Sequence, residues 1–379
     1  MRFETKLIHS GDEQARVMGA VCMPVFQSTM YELAGEQGYD NIRYIRLNNT
    51  PNHLQLHQTL TSLENGEAAL VTASGMAAIS TSLLSMLNAG DHLLAQKGLY
   101  GGTHSFITED LPRFGITFDF IDGDDADSWK RKLRPNTKAI YVESITNPLL
   151  RVADLKAVVA FARENELFSM IDNTFATPAN FRAAEFGFDL SIHSCTKYLN
   201  GHSDIVAGCV IGKKERIRRI THTLNHLGGA LDPHACFLLY RGIKTLAVRM
   251  NYINQSTLRI AQSLENHPAV EKVNYPGLSA HPRHQRAAEL FSGFGGVLSF
   301  ELKGGLAAAE TLIQRLKLPI HTVSLGGPET LITRPSVTSH AGLTEQDQKS
   351  LGLSEGLLRL SIGLESTEDL IEDFNNALQ

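Results

Sequence analysis

The sequence predicts an α/β protein with a mainly parallel central sheet, helices on both faces and a smaller α+β domain at the C-terminal end. Strand-like and helix-like segments alternate between residues 66 and 212, as expected for strands joined by crossover helices. The strand-like segments are short continuous apolar runs, which is typical of strands buried on both faces of a parallel sheet. A length of 379 residues favours two domains over one simple core.

The elements of the first half follow in chain order. Residues 1–49 have irregular periodicity and several turn formers, so we expect an arm rather than a self-contained domain. A strand is expected at 68–72 and a helix at 75–87. The other short apolar runs predict strands at 92–96, 116–121, 139–143, 168–172, 190–193 and 205–211.

The second half mixes helices and strands in a less regular order. One long helical stretch is expected over residues 230–265, because 234–250 is rich in Leu, Ala and Arg without an internal proline. Strands are expected at 270–275, 296–302 and 357–362, around helices such as 307–316 and 370–378. We therefore divide the chain into an arm (1–49), a large domain (50–248) and a C-terminal α+β domain (249–379).

The composition is that of an ordinary globular enzyme. Hydrophobic residues make up 42% of the chain, and the net charge of −5 comes without a basic block, so nucleic-acid binding is not expected. No run approaches the roughly 18 apolar residues that span a bilayer, and the charged N-terminus lacks the apolar core of a signal peptide. We expect neither a membrane span nor a cleaved leader.

Cysteines and histidines give no sign of a metal site. The four cysteines form no CxxC pair, and free thiols in apolar stretches suit a reducing, cytoplasmic location. Two histidine pairs, His53 with His57 and His222 with His226, have a spacing that can ligate zinc on a helix. Neither pair has the HExxH form or a nearby acidic or cysteine partner, so solvated or loop histidines are the preferred interpretation. The cysteines are Cys22, Cys195, Cys209 and Cys236.

Lys197 is the most informative single residue. It lies in Ser194-Cys195-Thr196-Lys197-Tyr198, directly after the apolar run 188–192. A lysine between small hydroxyl residues at the end of a buried strand is poorly placed for a surface charge. Desolvation lowers the pKa of lysine and makes its amine a nucleophile that forms a Schiff base. The alternative is a strand-end lysine that points into water, and this residue alone does not decide between the two.

Other strand ends also carry chemically suited residues, and ligands of open α/β sheets bind at such ends. Gly75 and Met76 open a helix whose free N–H groups can bind an anion. Asp172 ends the strand 168–172, and its carboxylate could pair with a protonated ring nitrogen. Tyr100, beside two glycines, could lie flat on a planar cofactor. The plainer alternatives are a strand-to-helix turn, a capping carboxylate and a loop with a core tyrosine.

Taken together, these features meet the requirements of pyridoxal 5′-phosphate (PLP). The cofactor needs a Schiff-base lysine, an acidic partner for its pyridine nitrogen, an anion-binding cradle and a ring to stack on. Ser194 and Thr196, which flank the lysine, could donate to the phosphate. Each feature alone is weak, but all four in this chain order are a specific signal for this cofactor.

The motifs resemble those of the Cys/Met metabolism PLP-dependent enzymes, which have fold type I. The resemblance covers essentially the full length. The family includes cystathionine γ-synthase, cystathionine β- and γ-lyases, methionine γ-lyase and the O-acylhomoserine sulfhydrylases. The motifs are Tyr44-Ile45-Arg46, Ala73-Ser74-Gly75-Met76-Ala77-Ala78, Leu99-Tyr100-Gly101-Gly102-Thr103, Glu143-Ser144-Ile145-Thr146-Asn147-Pro148, Asp172-Asn173-Thr174, Ser194-Cys195-Thr196-Lys197-Tyr198, Gly201-His202-Ser203-Asp204, Ser324-Leu325-Gly326-Gly327 and Leu358-Arg359-Leu360-Ser361-Ile362-Gly363.

The resemblance implies how the cofactor is held. Lys197 would bind it and shuttle the α and β protons, and Asp172 would keep the pyridine nitrogen protonated. Tyr100 would stack on the ring and act as a second acid–base group. The phosphate ligands implied are the backbone N–H groups of Gly75 and Met76, the hydroxyls of Ser194 and Thr196, and Tyr44 and Arg46 from a neighbouring subunit.

The resemblance also implies the substrate contacts and the assembly. Arg359 would bind the α-carboxylate of a small amino-acid substrate as a bidentate pair, helped by Asn147 and Ser324. The family's usual assembly is a homotetramer, a dimer of dimers. The arm (1–49) would contact a neighbouring subunit, and the large domain (50–248) would bind PLP.

Departures from the family pattern bear on the reaction. Position 323 is valine, where cystathionine γ-synthases and γ-lyases often have a glutamate that meets the distal amino group. An ammonium left unpaired there would cost about 1–3 kcal/mol, so Val323 favours an apolar or thioether side chain. Gly102 stands where methionine γ-lyases typically carry cysteine, and Arg334 where many members have histidine.

We expect a carbon–sulfur lyase of sulfur amino acids, of the methionine γ-lyase or cystathionine lyase type. It would release a thiol, a 2-oxo acid and ammonia. The alternative is a γ-replacement transferase, either a cystathionine γ-synthase or an O-acylhomoserine sulfhydrylase. A more remote alternative is a PLP-binding relative without activity. Against it, Lys197, Asp172, Tyr100 and Arg359 are all present, and each serves chemistry rather than packing.

Overall fold

The computed structural model describes residues 1–11, 16–342 and 344–379. The strands are β1 (Ala68–Thr72), β2 (His92–Gln96), β3 (Thr117–Ile121), β4 (Thr137–Glu143), β5 (Phe168–Asp172), β6 (Leu190–His193), β7 (Gly208–Gly212), β8 (Val270–Asn274), β9 (Val297–Leu302), β10 (Ile320–His321), β11 (Leu331–Thr333) and β12 (Leu358–Ser361). The helices are α1 (Phe3–His9), α2 (Pro51–Glu64), α3 (Gly75–Met86), α4 (Gly101–Ser105), α5 (Ala126–Lys132), α6 (Leu155–Glu164), α7 (Thr177–Asn180), α8 (Ala183–Phe186), α9 (Lys214–Leu227), α10 (Pro233–Ile243), α11 (Leu246–Glu265), α12 (His284–Leu290), α13 (Gly305–Arg315), α14 (Glu345–Leu351) and α15 (Thr367–Ala377).

Strands β1–β7 form one sheet in the order β1-β7-β6-β5-β4-β2-β3. Neighbouring strands are parallel except where β7 pairs with β1 and β6. The prediction of a mainly parallel sheet is therefore confirmed. Strands β1, β2, β4, β5 and β6 all end at one edge, which we call the carboxyl edge. Residues that follow these strands consequently lie close together.

Both faces of this sheet are buried. In β2, Leu93 belongs to one hydrophobic cluster and Leu94 to another, because successive side chains point to opposite faces. Helices α3 and α9 cover the Leu93 face, whereas α2, α6, α10 and α11 cover the Leu94 face. Burial on both sides explains why the strands are continuous apolar runs rather than alternating ones.

Strands β8–β12 form a second sheet in the order β10-β11-β12-β9-β8. Its pairs are antiparallel except for β10 with β11. Phe300 and Leu360 pack with α13 and α15 in a separate core, as the predicted α+β region requires. Within this sheet Arg359 of β12 pairs with Thr333 of β11 and Ser299 of β9, so its backbone is anchored from both sides.

Two predicted elements were wrong in their extent. The long helix expected over 230–265 is two helices, α10 and α11, which are separated at Lys244 and Thr245. The strand expected at 205–211 begins only at Gly208, where the chain passes so close to Ser74 that a Cβ would collide with its carbonyl oxygen. The proposed domain boundary after residue 248 falls inside α11 and stays a prediction.

The described part of the N-terminal arm has little regular structure. Met30 pairs with Tyr44 in an isolated antiparallel bridge, and the Phe26 N–H donates to Asn52 Oδ1 at 2.8 Å. Large apolar side chains are nevertheless exposed along it: Val17, Met18, Val21, Val25, Met30, Leu33 and Tyr39. Elsewhere, no helix in the described residues is both long and apolar enough to cross a membrane.

Candidate active site

Lys197 lies in a tight turn directly after β6, at the carboxyl edge. Its N–H donates to the Ser194 carbonyl at 3.1 Å, and its carbonyl accepts from the Gly201 N–H at 2.8 Å. The side-chain Nζ donates to Ser324 Oγ at 2.7 Å. Burial, and secondly the charge of Arg359, lowers the pKa of Lys197 from 10.5 to about 8. A useful fraction of the amine is therefore neutral near neutral pH, which nucleophilic attack and proton abstraction both require.

Arg359 meets Lys197 at Ser324. Its Nη2 donates to the Ser324 carbonyl at 2.8 Å, and its Nη1 donates to Asn147 Oδ1 at 3.2 Å. The Arg359 side chain is buried, and its Nε has no hydrogen-bond partner among the described residues. Burial lowers the pKa of Arg359 to about 10, so the group stays charged at neutral pH. No carboxylate in the described chain pairs with it, which leaves it suited to bind one from a ligand.

Ser324 is held in an unusual backbone conformation. Its φ of +82° lies in the left-handed region, which residues other than glycine rarely adopt. Two residues later, Gly326 also has a positive φ, and a Cβ there would lie 2.8 Å from the Tyr198 nitrogen. The loop thus packs directly on the backbone of the lysine turn. This close packing places the Ser324 hydroxyl at the Lys197 amine.

Asp172 and Glu143 lie side by side at the ends of β5 and β4, where they are paired in register. Asp172 Oδ1 accepts from the Thr174 N–H at 3.0 Å and from the Thr174 hydroxyl at 2.5 Å. Burial raises the pKa of Asp172, and the two Thr174 donors oppose that rise. Burial and then the charge of Asp172 raise the pKa of Glu143 well above its usual range. We infer that Asp172 is the carboxylate and Glu143 carries the proton.

Tyr100 begins α4 and is 42% exposed. Its N–H donates to Glu143 Oε1 at 2.6 Å, which connects the tyrosine to the strand beside Asp172. The ring lies back over Gly102, where a Cβ would come within 2.7 Å of Tyr100 Cε1 and 3.2 Å of Met76 Sδ. The ring position therefore depends on a glycine at 102. An exposed aromatic ring that is held in this position can stack on the face of a planar ligand.

Gly75 and Ser194 form a narrow cradle at the start of α3. A Cβ on Gly75 would lie 2.8 Å from both Cβ and Oγ of Ser194. Ser74 Oγ caps the helix by accepting from the Ala77 N–H at 3.0 Å. The N–H groups of Gly75 and Met76 have no acceptor in the described structure, as an anion site at a helix N-terminus requires.

Three predicted phosphate ligands lie in other arrangements. The Thr196 hydroxyl is already engaged with the Ala207 backbone, because it donates to the carbonyl at 3.1 Å and accepts from the N–H at 3.0 Å. Arg46 donates to the Asn225 carbonyl at 2.7 Å and stacks 5.7 Å from the ring centroid of Tyr44. Within one chain, neither Tyr44 nor Arg46 makes a described hydrogen bond to the Lys197 turn.

The groups at the carboxyl edge fit pyridoxal phosphate. A lysine of lowered pKa, a buried carboxylate and an exposed ring converge there, and Asp172 Oδ2 accepts no hydrogen bond from the described residues. The cradle at Gly75 is narrow enough that a Cβ would fill it, and its N–H groups are free. Lys197, Asp172, Tyr100 and Gly75 would hold the cofactor through its aldehyde carbon, ring nitrogen, ring face and phosphate respectively.

Sequence reasoning assigned no role to Glu143, Arg249 or the loop glycine Gly326. A carboxylate at the end of a buried strand was a visible signal for Glu143, as it was for Asp172. Arg249 on α11 and Gly326 had no such signal, because their contacts are with the distant lysine turn. All four cysteines are free, and Cys22 is exposed whereas the others are buried. In the described residues, no group of three or more His, Cys, Asp or Glu side chains could hold a metal.

Comparison with known proteins identifies the family. The sequence model of the family described as "Cys/Met metabolism PLP-dependent enzyme" matches residues 4–379. Cystathionine beta-lyase MetC of Bacillus subtilis (strain 168) is 40% identical over 377 residues, covering 99% of this chain and 96% of its own. L-methionine gamma-lyase of Fusobacterium nucleatum subsp. polymorphum is 39% identical over 386 residues, covering 99% and 97%.

A solved structure from Campylobacter jejuni subsp. jejuni NCTC 11168, named as a candidate O-acetylhomoserine (thiol)-lyase, superposes with a TM-score of 0.95. It is 31% identical, with 100% of both chains covered, and it contains N′-pyridoxyl-lysine-5′-monophosphate. Both the expected fold class and the expected cofactor are therefore confirmed. The chain belongs to the Cys/Met metabolism PLP-dependent enzymes, and its cofactor is pyridoxal 5′-phosphate.

Proposed function

We propose that this protein is a PLP-dependent carbon–sulfur lyase that converts a sulfur amino acid into a thiol, a 2-oxo acid and ammonia. The observation that carries the proposal is the meeting of two groups at Ser324. The Lys197 amine lies 2.7 Å from its hydroxyl, and the Arg359 guanidinium lies 2.8 Å from its carbonyl. A cation for the α-carboxylate beside a base for the Cα proton is the arrangement that an α-amino acid needs.

Binding begins with the α-carboxylate. Arg359 has a free Nε and no carboxylate partner in the described structure, so a substrate carboxylate would supply the missing acceptor. Asn147, already bonded to Nη1, would orient the guanidinium plane. Burial strengthens this pair because it excludes competing water. The substrate Cα would then lie on the side where Ser324 presents the Lys197 amine.

The protein's own proton carriers act next. Bound PLP supplies a ring that withdraws electrons from Cα when its pyridine nitrogen is protonated. Asp172 would keep that nitrogen protonated, and the two Thr174 donors favour its ionised form by opposing the rise in pKa that burial causes. Lys197 would take the proton from the substrate Cα and return it to another carbon atom of the substrate. Tyr100, held through its N–H by Glu143, would cover the ring face and assist acid–base transfer at the sulfur.

The wall beside the site favours an apolar side chain. Val323, adjacent to Ser324, is 58% exposed and offers no charge to a distal ammonium. A substrate with an uncharged sulfur side chain, such as methionine, needs no charged partner there, whereas the distal ammonium of cystathionine would gain no ion pair from Val323. We therefore place methionine-type substrates ahead of cystathionine. Position 102 is glycine, whereas methionine γ-lyases typically carry cysteine there. Cystathionine is therefore included among the substrates to be tested.

A second candidate is γ-replacement. The similarity to the Campylobacter jejuni protein favours it, because that protein is named as a candidate O-acetylhomoserine (thiol)-lyase. The residues that bind the carboxylate and move the Cα proton serve both reactions. The difference lies in whether a thiol leaves or enters, which only product analysis distinguishes.

The test is a product assay on purified protein loaded with PLP. Methionine, cystathionine, cysteine, O-acetylhomoserine and O-succinylhomoserine are each supplied with and without a thiol, and 2-oxo acid and free thiol are measured together. The proposal predicts 2-oxo acid and thiol from a sulfur amino acid without an added nucleophile. Turnover only of the homoserine esters with a thiol present would establish the second candidate instead.

Lys197→Ala provides the matched control. It should abolish both turnover and the visible absorbance of lysine-bound PLP, because no other amine occupies that position. Activity retained in this variant would contradict the role of Lys197. A wild-type protein that shows the absorbance but turns over no amino acid would instead identify a PLP-binding relative without activity.

We also propose a homotetramer and a cytoplasmic location. The exposed apolar side chains of the arm, such as Met18, Met30 and Leu33, support contact with another subunit. Arg46 and Tyr44 are stacked together on that arm, where a neighbouring subunit's phosphate could engage them. Four unpaired cysteines suit a reducing compartment. Sedimentation analysis tests the assembly, and a monomer with full PLP affinity would contradict it.

A further inference from the structure

Arg249 is a buried arginine outside the groups so far placed at the substrate. It lies on α11, is 5% exposed, and forms no ion pair with a carboxylate in the described parts of the chain. Buried charges are normally paired, because an uncompensated one is costly to bury. Burial lowers the pKa of Arg249 to about 10, so it remains charged at neutral pH. The contacts of the guanidinium must therefore compensate for the cost of burying its charge.

The guanidinium is surrounded by carbonyl oxygens of the lysine turn. Nη1 donates to the Tyr198 carbonyl at 2.7 Å, and Nη2 donates to the Leu199 carbonyl at 3.4 Å. Nη2 also donates to the Gly242 carbonyl of α10 at 2.8 Å. One side chain thus connects the end of α10 to the carbonyl groups of the two residues that directly follow Lys197.

The lysine turn is shaped to receive this guanidinium. Gly201 has a φ of +71°, and a Cβ at this position would collide with the Arg249 guanidinium. Gly242 is similarly constrained, because a Cβ there would collide with the Asn200 backbone. Nε of Arg249 is fixed by Thr245 Oγ1 at 3.1 Å. Two close glycine contacts and the two hydrogen bonds to Tyr198 and Leu199 leave the turn little freedom to shift.

The loop that carries Ser324 makes a second set of contacts with the turn. Gly326 lies against the Lys197 and Tyr198 backbone there, and its N–H donates to Ser361 Oγ at 3.1 Å. The turn that carries Lys197 is therefore contacted both by this loop and by Arg249. Loss of the Arg249 contacts would leave the contacts of the loop in place, so we expect the turn to shift and the amine to move relative to Ser324 and Arg359.

We propose that Arg249 is a positioning residue, which holds the Tyr198 and Leu199 carbonyls and thereby sets the place of the Lys197 amine. It touches neither substrate nor cofactor, and it acts through the backbone. The inference rests on the proposed use of Lys197 as the PLP-binding base. It does not depend on which amino acid is the substrate.

The test compares Arg249→Lys and Arg249→Met with the wild type. Lysine keeps the charge but cannot reach three carbonyls, and methionine keeps only the length. The matched control is Arg259→Lys on the same helix, because Arg259 is half exposed and its ion pair among the described residues is with Glu368. Two quantities are measured: the rate at which added PLP becomes attached to Lys197 in the apoprotein, followed by absorbance across pH, and kcat and KM of the loaded enzyme.

We expect Arg249→Lys to fold and to lower kcat about tenfold to hundredfold, since a displacement near 1 Å has effects of that size. KM should change less than about threefold, because Arg359 and Asn147 are untouched, and PLP attachment should slow alongside kcat. Arg259→Lys should match the wild type. Thr245→Val, which removes the Nε contact and the bond from the Thr245 hydroxyl to the Gly242 carbonyl, should shift kcat in the same direction by a smaller factor and serves if Arg249→Met fails to fold.

Two outcomes would overturn the inference. One is wild-type kcat and attachment rate in Arg249→Lys and Thr245→Val. The other is a lower melting temperature in these variants with unchanged kcat per loaded molecule, which would make Arg249 only structural. The attachment assay needs no substrate, so a wrong lyase assignment would appear in the product assay alone.

Discussion

Removing the charge of Arg359 should raise the pKa of Lys197. PLP should then attach to Lys197 at its full rate only at higher pH. The perturbation is Arg359→Met, which keeps a long side chain without a charge. Burial is the larger cause of the lowered Lys197 pKa and Arg359 the smaller. The pKa falls from 10.5 to about 8, so loss of the smaller contribution should raise it by about 1 at most.

The size of the effect follows from the neutral fraction of the amine. At pH 7, roughly 9% of a lysine with a pKa near 8 is neutral, against roughly 1% for a pKa near 9. PLP attachment to apoprotein should therefore slow by up to about tenfold at pH 7 and recover as the pH rises above the new pKa. The sign is definite, because only the neutral amine attacks.

The assay is the rate of PLP attachment to apoprotein, followed by absorbance from pH 6 to pH 10 in buffers of equal ionic strength. The control is Arg334→Met, because Arg334 follows the neighbouring strand β11 and its charge is already paired with Glu310. An Arg359→Met profile that superposes on the wild type would refute the electrostatic coupling. A shift of the same size in Arg334→Met would show that the effect is not specific to Arg359.

Gly75→Ala should weaken PLP affinity about tenfold or more, measured by equilibrium titration, because the new Cβ would press on Ser194 at 2.8 Å. Gly102→Ala should displace the Tyr100 ring and lower kcat/KM, measured with the best substrate of the product assay. Glu64→Gln should lower the free energy of unfolding by about 1–3 kcal/mol at pH 7, measured by urea denaturation, because an amide cannot accept all the buried hydrogen bonds that Asn173, Ser191 and the Ala184 N–H donate to the carboxylate. This difference should shrink as the pH falls through the lowered folded-state pKa of Glu64, since a protonated wild-type carboxyl also lacks the charge.

A specific result would contradict each of these three predictions. Unchanged PLP affinity in Gly75→Ala would mean that the cradle does not hold the phosphate. Unchanged kcat/KM in Gly102→Ala would mean that the ring position at Tyr100 is not needed. A stability difference for Glu64→Gln that stays constant down to pH 3 would show that ionisation of Glu64 does not contribute to the stability of the fold.

The large sheet could be predicted closely from the sequence. β1, β2, β5 and β6 lie at the predicted residues, because a strand buried on both faces must be a continuous apolar run. The junction at Lys244 and Thr245 was missed, because neither residue is a strong helix breaker. Residues 205–207 are apolar but not in a strand, because Ala207 instead bonds to Thr196.

The residues of the candidate site also differ in how far their local sequence indicates their role. The chemical character of Lys197 and Asp172 was visible locally, because each follows a buried apolar run. Ser324 and Arg359 were known only through the family resemblance, since their own sequence neighbourhoods carry no comparable signal.

The sequence by itself determined the fold class and the cofactor, because strand periodicity and strand-end residues are local properties, and the resemblance of its motifs indicated the family. Only the tertiary structure decided which groups act together. Ser324 is 127 residues from Lys197 and 35 from Arg359, yet it contacts both. Arg249 reaches the lysine turn from 51 residues away. Contacts over such separations depend on how two sheets and a helix pack, and no local pattern of residues encodes that packing.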